Sequence, residues 1–476
     1  MKKKILAAVV AVAMVLCAMP IASYADDTEV WHVKTEKEFL TALNEATPVS
    51  GTIVLDNEIT VNQPIVIKSG VTLEGATLTA GDGVEGNFIT FLNSDMSTAK
   101  LKDIKIVAGE KTRNAILVHG MADVYAENLK VDHSKAATGA PIVVNGSHFV
   151  ATGTLSLELG NNSWYGINSD NSVVDVSKAN ITINTPVATQ SVVCVENGGE
   201  ATVSGLTKVV TDDGQTAYVQ DEDLPEFVAA KKDNNVTEIV LDHNVSLYAP
   251  LYLYNATHVI GNGHAFVGTE ELGKDNVVTV MTDGVVFENI TIKTSAANKS
   301  PLHLYKADAT LKNVALDNRE TVGGAALILN GGSATVQGGL DIYIGENSWG
   351  SINIDEKNGD SNITFENGSA LKVEAPDGKS VIYVENDNGI GETVAGAENV
   401  GLVQDADGNY VVAGTEEPTQ PGDNTGNTDN DNNAAGTDKE NTADSPKTGD
   451  ESAYGLLIAL MMLSAAGVYA LRRNVK

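Results

Sequence analysis

The feature that most constrains what this chain can fold into is a long internal duplication. Residues 160–164 (GNNSW) return as residues 345–349 (GENSW), an offset of 185. Residues 195–197 (VEN) return as residues 384–386 (VEN) at an offset of 189, and drifts of a few residues are what loop insertions produce. Two tandem copies of one module are therefore predicted.

A shorter period runs inside each copy, that is, inside module 1 (residues 34–220) and module 2 (residues 221–413). Apolar strand-like positions recur at steps of mostly 24 to 27 residues, with runs of β-branched residues separated by Gly, Asn and Asp. These positions are Ile65, Ile89, Ile116, Ile142, Ile167 and Val192, then Leu251, Val278, Leu302, Leu327, Ile352 and Val381. Strands and turns at a fixed period of this length predict an all-β solenoid.

Asparagine and aspartate at one turn of the repeat favour a parallel β-helix. Each lies between two apolar strand residues, at coil spacings of 24 or 25: Asp103, Asn128, Asn289 and Asn313. These residue types tolerate the left-handed backbone conformation of a sharp corner, and their side chains can stack into a hydrogen-bonded ladder. The alternative is an antiparallel β-sandwich, with turns every ~8–12 residues. That fold does not require a coil-length period.

Each module opens with the signal of a short helix. Thr35 and Glu38 have capping-box spacing ahead of an apolar helical face, and Asp223 and Glu226 repeat the pattern. Because a solenoid must cover its open end, we interpret both helices as N-terminal lids.

Each module closes with a hairpin signal. Residues 212–214 (DDG) and 405–408 (DADG) lie between apolar runs, and Asp-Gly between strands is typical of a hairpin turn. The second segment could also suggest a calcium loop, but it lacks the remaining ligand spacing. No metal site or cofactor is predicted.

The coil period, the turn asparagines and the lid helices resemble the pectin-lyase-like superfamily of right-handed parallel β-helices. The resemblance covers both modules and implies two tandem right-handed solenoids, each with an N-terminal capping helix. It is specific for the fold and weak for activity.

Enzymes of that superfamily typically use clustered carboxylates, and the lyases add calcium and a basic residue, often Arg. Only Arg113 and Arg319 lie in the modules, and they do not align between the copies. Residues 261–264 (GNGH) are similar to a Gly-rich early coil but are not the Gly-His-Gly of the hydrolases. No catalytic set can be named, which lowers the expectation of an enzyme without excluding one.

The most distinctive shared motif is Asn-Ser-Trp followed by Ile-Asn-x-Asp. Exposed tryptophans could stack on sugar rings or anchor a protein partner, with the Asn and Asp side chains adding polar contacts. The candidate ligand-binding residues are Trp164, Asn168, Asp170, Trp349, Asn353 and Asp355. The alternative is structural: a Trp that packs over one coil, with Asn and Asp at its corner.

The N-terminus predicts a secretory signal peptide at residues 1–25. Three lysines precede an apolar run at residues 5–19, and Pro20 and a small-residue stretch ending at Ala25 follow. The run is short for a membrane span, which needs ~20 residues. Cleavage after Ala25 is therefore expected.

The C-terminus, residues 445–476, resembles the cell-wall sorting signal of Gram-positive surface proteins. Its pentapeptide is Ser445, Pro446, Lys447, Thr448 and Gly449. An apolar segment at residues 454–471 and a basic tail follow. The resemblance implies that sortase cuts between Thr448 and Gly449 and joins Thr448 to peptidoglycan. Ser445 replaces the commoner Leu and suggests a clostridial-type sortase. The alternative is an ordinary single-pass membrane anchor.

The composition indicates a disordered spacer and a strongly acidic chain. Residues 415–444 are dominated by Thr, Asn, Asp, Gly and Pro and are expected to be a disordered wall-spanning linker. The formal net charge of −32 argues against nucleic acid or an anionic membrane as a partner. Cys17 leaves with the signal peptide, so Cys194 is the remaining cysteine, and its apolar run predicts a buried residue.

Three functions follow from the sequence. The leading hypothesis is a wall-anchored, non-enzymatic adhesin for glycans or glycoproteins, located on the extracellular face of a Gram-positive bacterium. The second is a surface polysaccharide lyase or glycoside hydrolase. The third is a structural stalk.

Overall fold

The computed structural model describes residues 29–45, 51–92, 97–377, 379–385 and 394–413. The predicted signal peptide, linker and sorting signal lie outside these residues. Within them, no helix is both long and apolar enough to span a bilayer.

The described chain is almost entirely β-structure, with two α-helices. The helices are α1 (Glu36–Glu45) and α2 (Leu224–Ala230), and 3-10 turns cover Lys232–Asn234, Glu356–Asn358 and Ala397–Val400. The strands of the first half are β1 (Val30–Val33), β2 (Thr52–Leu55), β3 (Ile59–Val61), β4 (Ile65–Ile67), β5 (Thr72–Gly75), β6 (Thr77–Ala80), β7 (Gly86–Phe91), β8 (Thr98–Lys102), β9 (Lys105–Val107), β10 (Thr112–His119), β11 (Asp123–His133), β12 (Ile142–Asn145), β13 (His148–Leu159), β14 (Ile167–Asp170), β15 (Val173–Asn184), β16 (Val193–Glu196), β17 (Glu200–Thr202), β18 (Thr207–Thr211) and β19 (Thr216–Val219).

The second half repeats this organisation. Its strands are β20 (Val236–Val240), β21 (Val245–Leu247), β22 (Leu251–Leu253), β23 (His258–Ile260), β24 (Ala265–Gly268), β25 (Val278–Val280), β26 (Val285–Lys293), β27 (Leu302–Tyr305), β28 (Ala309–Asn318), β29 (Leu327–Asn330), β30 (Ser333–Ile344), β31 (Ile352–Asp355), β32 (Asn362–Phe365), β33 (Ala370–Glu374), β34 (Ile382–Glu385), β35 (Val394–Ala395), β36 (Leu402–Gln404) and β37 (Tyr410–Val412).

The predicted solenoid is confirmed by the strand register. Ile65, Ile89, Ile116, Ile142 and Ile167 are successive partners in parallel pairs along β4, β7, β10, β12 and β14. The same holds from β22 to β31 in the second half. Each turn of the chain therefore adds one strand to a parallel stack, which an antiparallel sandwich cannot do.

The last predicted position of each module was wrong by one residue. Val193 pairs with Ile167, and Ile382 pairs with Ile352, where Val192 and Val381 were expected. Two adjacent apolar residues stand at both places, so the sequence pattern alone did not fix which one enters the ladder. The register is decided by the inward face, since a slip of one residue would reverse every side chain of the strand.

The turn ladder is confirmed. Asp103, Asn128, Asn289 and Asn313 all have left-handed backbones, with φ between 49° and 52°. The Nδ2 of Asn128 donates to Oδ1 of Asp103 (2.8 Å), and the Nδ2 of Asn313 donates to Oδ1 of Asn289 (3.3 Å). These side chains therefore connect each coil to the next at the corner.

Both lid helices are present, but only one has its predicted cap. In α1, the amide of Glu38 donates to Thr35 Oγ1, and the Glu38 carboxylate accepts from the Lys34 amide. In α2, Asp223 makes no side-chain cap. Its carboxylate instead accepts from Thr185 Oγ1 (2.8 Å) and Gln220 Nε2 (3.2 Å), which ties the second lid to module 1.

The two predicted hairpins are confirmed: β18 pairs with β19 and β36 with β37, both antiparallel. The first hairpin also connects the modules, because β19 pairs with β16 and β18 pairs with β20. The buried apolar side chains form two clusters. One runs from Val33 to Leu206 and the other from Val209 to Leu402. The hairpin that closes module 1 in sequence thus packs into the second core.

A buried histidine lies in the first core. His133 is fully buried, its Nε2 donates to the carbonyl oxygen of Arg113 (2.9 Å), and its Nδ1 accepts from the Ser163 hydroxyl (2.8 Å). Burial lowers the pKa of His133 to about 4, against the opposing effects of the Arg113 carbonyl and of Asp132. His133 is therefore neutral in the folded protein at pH 7.

We expect His133→Asn to make the protein less sensitive to acid. The unfolded chain binds a proton near pH 6.5 and the folded chain only near pH 4, so His133 costs stability as pH falls through this window. Below about pH 4, the full loss in the free energy of unfolding is about 3 kcal/mol. Asn318 occupies the equivalent place in module 2 and reaches Ser348 Oγ (3.4 Å), so an Asn suits this environment. Urea unfolding at pH 7.5 and pH 4.5 measures the difference, with His258→Asn at a half-exposed site as control. An identical pH dependence in His133→Asn and the parent would contradict the assignment.

Candidate functional site

The candidate site is the outward side of the two ladder stacks. We call the outward side chains of β10, β12, β14 and β16 face 1, and those of β22, β25, β27, β29, β31 and β34 face 2. The alternation of the strands sends Ile, Leu and Val into the core and leaves the residues between them on these faces. The parallel register then brings outward residues of neighbouring coils side by side.

On face 1, Asn168 and Glu196 form a polar network. The Nδ2 of Asn168 donates to Glu196 Oε2 (3.0 Å) and to the hydroxyl oxygen of Tyr165 (3.1 Å). Gln215 donates to the other Glu196 oxygen (2.7 Å). Burial raises the pKa of Tyr165, and the nearby Glu196 carboxylate adds to the effect. The tyrosine therefore stays protonated and neutral.

Asp170 is the register partner of Glu196 on the next coil, and because adjacent strands are ~4.8 Å apart, the two side chains are neighbours on face 1. Asn145 donates to one Asp170 oxygen (2.6 Å) and Asn197 to the other (2.7 Å). His119 contacts Asn145 Oδ1 through Nδ1 (3.0 Å) and extends the row. Each carboxylate is thus held by amide donors.

Face 2 repeats this arrangement. Asp355 is the register partner of Glu385. The Nδ2 of Asn353 donates to Glu385 Oε2 (3.1 Å), and Asn330 donates to Asp355 Oδ2 (3.3 Å). The backbone amide of Lys357 donates to the other Asp355 oxygen (2.9 Å). The duplication therefore preserves two carboxylates side by side and an Asn–Glu hydrogen bond between neighbouring coils.

The two tryptophans are placed differently. Trp164 is 43% exposed, lies edge-to-face against Tyr165, and carries the Arg113 guanidinium over its ring at 5.2 Å. Trp349 is half-buried, and its Nε1 lies against Gly323. Both precede the ladder strand that carries the Asn and Asp, so the predicted residues share one side of the solenoid. Asn168 and Asn353 are each only 4% exposed, which fits the structural alternative for these two amides.

Sequence reasoning missed the two glutamates and an aromatic row. Glu196 and Glu385 were part of a recognised repeat, but its offset of 189 separated them from the Asn-x-Asp motif at 185. Face 2 also carries aromatic side chains at outward positions that face 1 fills with residues such as Leu117 and Cys194. These are Tyr252, Tyr254, His303, Tyr305 and Tyr383. Alternation such as Leu-His-Leu-Tyr at residues 302–305 was the available signal.

The two arginines of the modules have structural partners. Arg113 stacks on Trp164, and Arg319 holds Asp317 with both Nε (2.9 Å) and a terminal nitrogen (2.7 Å). Within the described ranges, no group of three His, Cys, Asp or Glu side chains is arranged to hold a metal ion. Cys194 is buried as predicted, and burial raises the pKa of its thiol.

Comparison with known proteins gives the following. No protein-family model matches the chain, and no curated protein matches it. Among solved structures, two forms of the catalytic domain of a GH87 alpha-1,3-glucanase in complex with nigerose are similar, at 12% and 11% sequence identity with TM-scores of 0.25 and 0.24. Each comparison covers 78% of this chain and 70% of the other. Likeness at this level supports no conclusion about activity.

Proposed function

We propose that this protein is exported, joined to peptidoglycan by a sortase, and binds glycans through its two ladder faces without cleaving them. The observation that carries the binding part is the duplicated network of paired carboxylates and amides beside aromatic side chains. The half-buried carboxylates Asp170, Glu196 and Glu385 can accept hydrogen bonds from sugar hydroxyls, whereas Asp355 is fully buried. Aromatic rings cover the apolar faces of sugars. The two modules are proposed as tandem solenoids with the boundary near residue 220, and two linked sites would bind with avidity.

The hydrogen bonds at the carboxylates favour binding over hydrolysis. A glycosidase needs one carboxyl group that stays protonated to act as the acid. On face 1, amide groups donate to both oxygens of Asp170 and of Glu196, so each of these carboxylate oxygens already accepts a hydrogen bond. A general acid must instead donate a hydrogen bond from a carboxyl oxygen to the leaving group, so this geometry favours recognition over acid catalysis.

A hydrolase is the second candidate function, because the strand register places two carboxylates side by side on each face. Asp170 and Glu196, like Asp355 and Glu385, lie on adjacent strands of one face. Glycosidases also use a pair of carboxylates on one face as their catalytic groups. The test must therefore measure binding and cleavage together.

The deciding experiment applies the full chain, purified in mild detergent, to a glycan array. A parallel assay measures new reducing ends and unsaturated products. We expect binding without product. Product formation would replace this proposal with the hydrolase or lyase, and absence of binding to every glycan would leave the structural stalk.

A carboxylate variant localises the binding. The double substitution Glu196→Ala and Glu385→Ala should weaken binding by about tenfold or more, since each charge-assisted hydrogen bond contributes about 1.5–3 kcal/mol. The matched control is Glu110→Ala with Glu270→Ala, which removes one exposed glutamate from each module. Equal binding by both double variants would move the site away from these faces.

A further inference from the structure

A cleft of about 330 Å³ lies where module 1 meets module 2. Three segments form its walls: residues 179–181 of β15, residues 204–206 before β18, and residues 220–222 before α2. Tyr248, which follows β21 in the first coil of module 2, completes the lining. Both modules therefore contribute to the cleft, and its volume lies within the range of small-ligand sites.

The cleft is present because the last long strand of module 1 is only partly covered. β17 pairs with β15 at Val173–Asp175 alone. Among the described strands, β13 is the partner of the remaining part of β15, residues 179–184, and that partner covers one side. The chain leaves this sheet after β17 and turns at Ser204 and Gly205. The uncovered edge of β15 thus becomes a wall of the cleft.

The cleft is open to solvent and offers polar groups that have no other partner. Asn180, Ser204 and Glu222 are exposed, and within the described structure their side chains make no hydrogen bond or ion pair. Tyr248 is 44% exposed, so its ring is accessible from the cleft. An amide, a hydroxyl and a carboxylate supply donors and acceptors for sugar hydroxyls, and an accessible ring can cover the apolar face of a sugar.

Hydrogen bonds to both modules hold the walls of the cleft in place. Asp221 accepts from the Ser246 amide (3.1 Å) and pairs with His243 Nε2 (2.9 Å), both in the first coil of module 2. Asp223 accepts from the hydroxyl of Thr185, directly after β15 (2.8 Å). A site whose walls are fixed before binding loses less conformational entropy when a ligand enters.

The tyrosine of the cleft is a property of module 2 and not of the repeat. Residues 61–68 (VNQPIVIK) and 247–254 (LYAPLYLY) align at an offset of 186, which places Asn62 at the position of Tyr248. Asn62 has a structural role there, because its backbone amide and its Nδ2 donate to Glu36 of α1 (2.7 and 3.3 Å). The fold of a first coil therefore does not require a tyrosine at this position.

We propose that this cleft binds an uncharged sugar ring, which stacks on Tyr248 and exchanges hydrogen bonds with Asn180 and Glu222. The inference rests on the proposed glycan-binding function and adds a third site, distinct from faces 1 and 2. Uncharged sugars are favoured because the lining contains two carboxylates, those of Asp221 and Glu222, and no lysine or arginine. A uronate or a sulfated sugar would be repelled.

The test measures sugar binding by the full chain in mild detergent, in the Glu196→Ala and Glu385→Ala background that weakens faces 1 and 2. We expect the remaining binding to be for uncharged hexose and N-acetylhexosamine oligosaccharides. Adding Tyr248→Asn, which installs the module 1 residue, should weaken this binding at least tenfold. Tyr248→Phe keeps the ring and should weaken it less than threefold. Hydrogen exchange at residues 179–184 should slow on addition of sugar to the Tyr248→Phe protein and not to the Tyr248→Asn protein.

Glu222→Gln tests the ligand class. It should lower the preference for uncharged over uronate oligosaccharides at least threefold, because it removes a charge that repels the uronate. The matched control is Glu110→Gln, an exposed glutamate of module 1 outside the cleft, which should leave the preference unchanged. The same preference in both variants would overturn the inference.

Equal binding by the Tyr248→Asn and Tyr248→Phe proteins would also overturn it while the glycan-binding function stands. Complete loss of binding in the Glu196→Ala and Glu385→Ala background would have the same meaning, because the two faces would then account for all binding. If that background binds like the parent and Tyr248→Asn removes the binding, the cleft stands and the assignment to the faces is wrong. Failure of the parent to bind any sugar would overturn the proposed function and this inference together.

Discussion

Thr448→Ala should move the protein out of the cell-wall fraction and into the membrane fraction or the medium. If the resemblance to sorting signals holds, sortase cuts the Thr448–Gly449 bond and joins the carbonyl carbon of Thr448 to peptidoglycan. The apolar segment at residues 454–471 would hold the uncut chain in the bilayer, with the basic tail inside. Fractionation after muramidase digestion, followed by immunoblotting, measures the shift, which should be nearly complete.

Ser445→Leu is the matched variant, because it converts the pentapeptide into its commonest form and leaves the cleaved bond intact. In the native host it tests the sortase subtype, since a sortase that prefers Ser445 should process it more slowly. Wall attachment that survives Thr448→Ala would show that the sorting assignment is wrong. The ordinary membrane anchor would then be the better interpretation.

Phe287→Ala should lower the free energy of unfolding of the second core by about 3–5 kcal/mol. Phe287 is fully buried on β26, between its register partners Val259 on β23 and Leu311 on β28. Removing the ring leaves a cavity that three stacked coils cannot close, because their spacing is set by the backbone hydrogen bonds. Urea unfolding followed by tyrosine fluorescence measures the loss. Lys130→Ala, at an exposed site of β11, should change it by no more than about 0.5 kcal/mol.

Phe287→Ala also tests whether the two modules are separate solenoids. The two buried clusters divide between Leu206 and Val209, and the hairpin of β18 and β19 connects them. If the modules are separate, hydrogen exchange in Phe287→Ala should accelerate after residue 209 and stay unchanged before it. Equal acceleration on both sides would mean that one continuous solenoid unfolds as a unit.

The periodic parts of the fold were accessible to sequence reasoning. The ladder positions from Ile65 to Ile167 and the left-handed corner at Asn128 follow from local rules, namely inward alternation and the tolerance of Asn for positive φ. The second helix cap was not accessible. Asp223 has the spacing of a helix cap, but its carboxylate accepts a hydrogen bond from Thr185 of the preceding module instead of capping the helix.

In the candidate site, too, some residues were predictable from the sequence and others were not. The sequence identified Asn168, Asp170, Asn353 and Asp355 from their repeated spacing. It did not pair them with Glu196 and Glu385, because one coil of chain separates each motif from its glutamate.

What the sequence determined by itself is the β-solenoid, since the coil period, the alternation and the turn residues are all local signals. It also supplies the two end signals, which remain predictions. What only the tertiary structure decided is which outward side chains meet and which of them are left unpaired. His303 and Asn353 are 50 residues apart in the chain, and two steps of parallel register bring them onto one row. The physical reason is that hydrogen bonds between coils fix which residues are neighbours, and the length of each intervening loop sets that register.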